Sequence, residues 1–119
     1  MAEPYLRLLK QIVDGLGQLQ IDDLKLESKH FFSGAALFAN GKIFASLSPS
    51  GFAIKLPADL RKKLIESGKG TDFRFFANGP IKREYVALSD LTIADKKALR
   101  ELIIFSIDYV LGLRKLKTR

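Results

Sequence analysis

Asn40-Gly41 restricts the fold of this chain more than any other pair of residues. Asn and Gly both tolerate positive φ, so together they favour a type I′ turn, whose twist matches that of two antiparallel strands. Residues 35–39 and 42–47 flank the pair and have strand length and apolar content, so a β-hairpin is expected there. A second turn, Ser48-Pro49-Ser50-Gly51, leads into Phe52, Ile54 and Leu56, which alternate with Ala53 and Lys55. Upstream, Leu24, Leu26 and His30–Phe32 give an earlier extended segment, closed by Ser33-Gly34. Four short strands in sequence order predict an antiparallel meander.

Helical periodicity brackets this region. Residues 5–19 place Tyr5, Leu8, Leu9, Ile12, Val13, Leu16 and Leu19 three or four apart, with Pro4 at the first turn. After Pro57 a second helix is expected with Leu60, Leu64 and Ile65 inward, Arg61, Lys62 and Lys63 outward, and Gly68 as its stop. Residues 71–76 and 82–88 read as a hairpin about Asn78-Gly79-Pro80. Ser89 or Thr92 then caps one long helix running to about Lys115, with Gly112 a soft point near its end. Strand runs separated by helices predict an α+β domain over residues 1–119: an antiparallel sheet, meander plus hairpin, packed with three main helices.

The absence of cysteine removes thiol nucleophiles, disulfides and cysteine-ligated metals, and a single histidine, His30, removes histidine-rich metal sites. There is no P-loop, G-x-G-x-x-G or G-x-S-x-G pattern. Gly15-Leu16-Gly17 sits inside a helical pattern and Gly68-Lys69-Gly70 follows a helix, so both read as structural glycines. His30 could act as a base only beside a positioned partner; an exposed edge-strand histidine is the simpler reading. Asp90 and Asp95 suit helix starts, where carboxylates complement the dipole. Catalysis is therefore not expected. A small-molecule enzyme using His30 and Tyr85 is the weakest alternative.

Charge is the remaining signal. The chain has 20 Lys and Arg against 13 Asp and Glu, net +7. Residues 1–40 carry −1, residues 41–88 +5 and residues 89–119 +3. Such a field attracts anions, or simply keeps a domain soluble. Candidate nucleic-acid contacts are Arg61, Lys62, Lys63, Lys82, Arg83, Arg114 and Lys115. The RNA-recognition aromatic motif and a helix-turn-helix are both missing from the pattern. Residues 99–113 are apolar on more than one face, which suits a central helix or a homodimer or protein partner through that helix. They are too short to span a bilayer, and residues 1–4 lack the features of a secretory signal, so a cytoplasmic location is expected.

The run Phe31-Phe32-Ser33-Gly34-Ala35-Ala36-Leu37-Phe38-Ala39-Asn40-Gly41-Lys42-Ile43-Phe44-Ala45 resembles the opening motif of the TfoX amino-terminal domain family, the TfoX/Sxy competence regulators. That motif reads Met-Phe-Gly-Gly, a short strand, an acidic or Asn-Gly turn, then Lys and Phe-Ala; Phe31 and Ser33 depart from it. Gly51-Phe52-Ala53-Ile54-Lys55-Leu56, Arg61, Leu64, Gly68 and residues 73–85 continue the resemblance, which covers about residues 5–110. It implies an α+β domain without catalytic residues or cofactor, acting in transcriptional regulation of competence and DNA uptake.

Overall fold

The computed structural model describes residues 3–31, 33–74 and 78–112. Helix α1, Glu3–Leu16, buries Leu9 and Leu16 and packs Tyr5, Leu6, Ile12 and Val13 against the core. It stops three residues before the expected end because Gly17 turns left-handed, with φ 73°. Leu19 is still buried, but from the loop that follows.

The meander forms as expected: β1 Leu26–Phe31, β2 Gly34–Ala39, β3 Lys42–Ser48 and β4 Gly51–Lys55, each antiparallel to the next. Phe32 lies outside the described residues. Asn40 and Gly41 take φ of 49° and 85°, the two positive values a type I′ turn needs. Asn40 also ties this hairpin to the segment entering β1. Its N–H donates to the Lys25 carbonyl at 2.9 Å, and its Oδ1 accepts from the Lys25 N–H at 2.7 Å. Leu37 pairs with Ala45 but Phe38 with Ile43, which makes Phe44 the extra residue of a β-bulge. Gly34 marks a close backbone approach, since a Cβ there would sit 2.0 Å from the Leu47 carbonyl oxygen.

The second hairpin is shorter than its sequence pattern. Strands β5 (Gly70–Asp72) and β6 (Tyr85–Leu88) pair, but the Lys82 N–H bonds to the Phe73 carbonyl at 2.8 Å, closing a loop where residues 82–84 were expected to extend the ladder. Phe75 and Phe76 lie outside the described residues. Strand β6 also pairs with β4, so both units share one six-stranded sheet of order β1-β2-β3-β4-β6-β5.

Helix α2, Ala58–Glu66, begins after Pro57 and ends before Gly68, whose φ is 77°. Leu64 is buried, whereas Ile65, expected inward, is 39% exposed because it lies about 100° round the helix from Leu64. The expected single last helix is two. Ser89 Oγ accepts from the Thr92 N–H at 3.2 Å and caps α3, Asp90–Ala94. Asp95, with ψ 95°, breaks the helix and caps α4, Lys96–Leu111, by accepting from the Ala98 N–H at 3.1 Å. Thr92 is no cap: its hydroxyl donates to the Lys69 carbonyl at 3.1 Å. Gly112, with φ 71°, terminates α4.

The two sheet faces differ in kind. Leu37, Ala45, Ile54 and Val86 lie in register across four strands and join one core with Leu9 and Leu16 of α1, Leu64 of α2, and Leu99, Ile103 and Ile107 of α4. The opposite face carries the neighbouring row, Ala36, Ser46, Ala53 and Ala87. Phe73 and Tyr85 pack over Ala53 there, their rings 5.6 Å apart. Ser46 Oγ in this row is buried with no hydrogen-bond partner among the described residues.

Candidate functional site

Of the seven basic candidates, Arg61 is tied by the backbone to Glu84, the residue that follows the Lys82-Arg83 pair. Arg61 Nε donates to the Leu56 carbonyl at 2.9 Å, and the Leu56 N–H donates to the Glu84 carbonyl at 3.0 Å. The start of α2 and the loop before β6 are thus stitched to a single residue. Lys62 and Lys63 are exposed on α2, and Lys82 and Arg83 are exposed in their loop. Arg114 and Lys115 lie outside the described residues.

Two bases that the sequence reading left out, Lys42 and Lys55, extend this surface. Lys42, Ile43, Lys55, Glu84, Tyr109 and Val110 line an open cleft of about 530 Å³ at one end of the sheet. Lys55 and Glu84 also line a second, of about 340 Å³, with Pro80, Ile81, Lys82, Arg83 and Tyr85. Lys55 Nζ stands 3.8 Å from Glu84 Oε1 and 5.5 Å from the Tyr85 ring centre, a salt bridge and a cation–π contact on one ammonium. Burial, and secondly the Glu84 carboxylate, push the Tyr85 phenol up to about 12. The Tyr85 hydroxyl therefore keeps its proton at neutral pH, beside a Lys55 ammonium that Glu84 already pairs, and is not poised for proton transfer. Strand alternation was the available signal: Lys55 falls between Ile54 and Leu56, on the face opposite the helices.

His30 and Tyr85 do not meet. His30 is exposed on edge strand β1, and three strands separate it from β6, or about 19 Å at ordinary strand spacing. The apolar breadth of α4 is largely taken up by the fold through Leu99, Ile103 and Ile107, with Leu102, Ile104, Val110 and Leu111 packed beside them. What remains outside is Phe105, 36% exposed, and on α1 Leu8, 47% exposed. No helix among the described residues is long and apolar enough to cross a membrane.

The meander, its Asn-Gly turn and the close approach at Gly34 occupy the stretch where the sequence resembles a known family motif. The family model for the TfoX N-terminal domain matches residues 22–109. The chain belongs to that family. The TfoX N-terminal match runs from the turn before β1 into α4, so it contains the whole sheet and the basic surface about Lys55. Helix α1 precedes the TfoX match, although Leu9 and Leu16 belong to the same core. No curated protein matches the chain.

Proposed function

We propose that this protein is a non-enzymatic, cytoplasmic regulatory domain of the TfoX/Sxy kind, acting through protein contacts in transcriptional control of competence and DNA uptake. Membership of the TfoX N-terminal domain family carries this reading. Phe105 and Leu8, standing outside the core on α4 and α1, offer apolar anchors for a protein partner. The test is deletion of the gene in its own organism, followed by complementation. Wild-type protein and a His30→Ala variant restore transformation frequency and uptake-gene transcripts, whereas Phe105→Asp with Leu8→Asp, if folded by circular dichroism, does not. Unchanged transformation after deletion would refute the role.

A second reading, direct nucleic-acid binding, is favoured by the exposure of Lys62, Lys63, Lys82 and Arg83, with Arg61 and Glu84, the neighbour of Arg83, both bonded to Leu56. Fluorescence anisotropy across a salt series tests it. Log affinity for duplex should fall with log salt at a slope of about −0.9 per phosphate contacted, and Lys62→Glu with Lys63→Glu should abolish binding. Absence of binding at low salt removes this reading.

A further inference from the structure

We propose that the outer edge of β1 pairs with β1 of a second copy of this chain, antiparallel and centred on Ser28, to join the two sheets into one. This inference does not depend on the function proposed above.

Strand β1 ends the sheet, with β2 as its one neighbour among the described residues. The direction of its backbone groups follows from the hairpin beside it. In the two-residue Asn40-Gly41 turn, Ala39 and Lys42 close the β2–β3 ladder, so Ala39 turns its N–H and C=O toward β3. Asn40 therefore faces β1, as its 2.9 Å bond to the Lys25 carbonyl shows. Alternation along β1 then directs the backbone groups of Glu27 and Lys29 to β2, and those of Leu26 and Ser28 outward.

An antiparallel partner must meet outward groups with outward groups, so even-numbered residues of β1 pair with even-numbered ones. Three registers come into question. Centring on Glu27 sets Glu27 opposite its own copy, and centring on Lys29 does the same for Lys29; like charges directly opposite are unfavourable. Centring on Ser28 sets Glu27 against Lys29 of the second copy, twice by symmetry. Ser28 meets Ser28, and Leu26 meets His30. The Glu27–Lys29 pairs fall at the non-hydrogen-bonded positions, where opposed side chains come closest. Within one chain the two side chains pair with each other, Lys29 Nζ standing 3.9 Å from Glu27 Oε1 and 5.1 Å from the Phe38 ring centre, so the two interchain pairs would exchange for contacts that are exposed and weak. The charges of one six-residue strand thus reject two registers and favour the third, a self-complementary pattern as a two-fold interface requires. Alongside, α1 and β1 bound a cleft of about 220 Å³ into which Lys10 and Asp14 bring one charge of each sign.

Sedimentation velocity of the full chain from about 1 µM to about 1 mM tests the pairing, over the range in which a modest interface titrates. The wild type is expected to pass from one chain to two. Glu27→Lys or Lys29→Glu alone should raise the dissociation constant about tenfold or more, while the two together should return it to within about threefold of wild type, because the swapped pair regains its complement. Ser28→Pro removes one outward N–H, leaves the β2 ladder intact, and should abolish the dimer without loss of the circular dichroism spectrum. A monomer at every concentration overturns the proposal and leaves Glu27 and Lys29 as guards against edge pairing. A dimer insensitive to Ser28→Pro, or single reversals that the double reversal does not rescue, overturns it equally.

Discussion

Replacing Gly34 with alanine and Gly15 with alanine adds the same methyl group, and the structure assigns the two changes opposite signs. At Gly34 the new Cβ would stand 2.0 Å from the Leu47 carbonyl oxygen and 2.8 Å from the Ser48 Cα. Both obstacles are backbone, so no side chain can swing aside. Relief demands that β2 and β3 part by about 1 Å, which costs about two ladder hydrogen bonds near the Ala35–Leu47 pair at ~1 kcal/mol each, plus strain of about 1–2 kcal/mol. The sum is about 3–4 kcal/mol. With an unfolding entropy near 2.1 cal/mol/K per residue over 119 residues, Tm should fall by about 12–16 °C. At Gly15, inside α1, nothing lies within 4 Å of the new methyl group, and the helix gains about 0.5–1 kcal/mol or about 2–4 °C. Thermal melts followed at 222 nm measure both. A Gly34→Ala protein melting within about 3 °C of wild type would show that the strands yield without cost, and the argument from close approach would fail.

Ser46→Ala should stabilise the protein by about 1 kcal/mol in urea titration, because it removes a buried hydroxyl that has no partner. Asp95→Ala should cost about 1 kcal/mol by the loss of the α4 cap, and would leave stability unchanged if the Ala98 N–H found water instead. The Tyr85 phenol, raised to about 12, keeps its proton longer in the folded than in the unfolded chain. Its contribution is therefore complete below about pH 10 and is lost as pH rises toward 12. Two pH units correspond to about 2.7 kcal/mol in a dry site, which solvent at the hydroxyl reduces to about 1–2 kcal/mol. Absorbance at 295 nm reports the titration, and Tyr85→Phe should flatten that part of the stability profile.

Local chemistry made the meander legible in the sequence. Asn40-Gly41 and Gly51 set their turns by backbone preference alone, and alternation about Ile54 set the register. The break at Asp95 was harder to see. Ile93 and Leu99 both face the core from opposite sides of it, so apolar content runs on without interruption, while Leu91 is 85% exposed and α3 buries only Thr92 fully. Ser89 and Asp95, two cap-forming residues six positions apart, were the signal for two helices. The basic surface was only half legible. Arg61 and Glu84, the neighbour of Arg83, are distant in sequence and both bond to the backbone of Leu56, which no charge pattern encodes. Lys42 and Lys55 carried too little local context to stand out from an ordinary solvated strand.

Helix α4 closes the core over strands that precede it by a long stretch of chain. Ser106 reaches the Phe44 carbonyl across 62 residues, and Arg100 reaches the Gln18 carbonyl across 82. On the ribosome, the four strands of the meander have one another once Leu56 has been added, and α1 can already lie on β1–β3, but the cover that α4 gives to β3 and β4 waits until Leu111 follows. At about 5–20 residues per second that interval lasts about 3–11 s. For those seconds the nascent chain presents a paired sheet whose apolar face α1 covers only in part, leaving the share that α4 covers on β3 and β4 open, a surface that chaperones bind, and the protein's yield in the cell should depend on their supply.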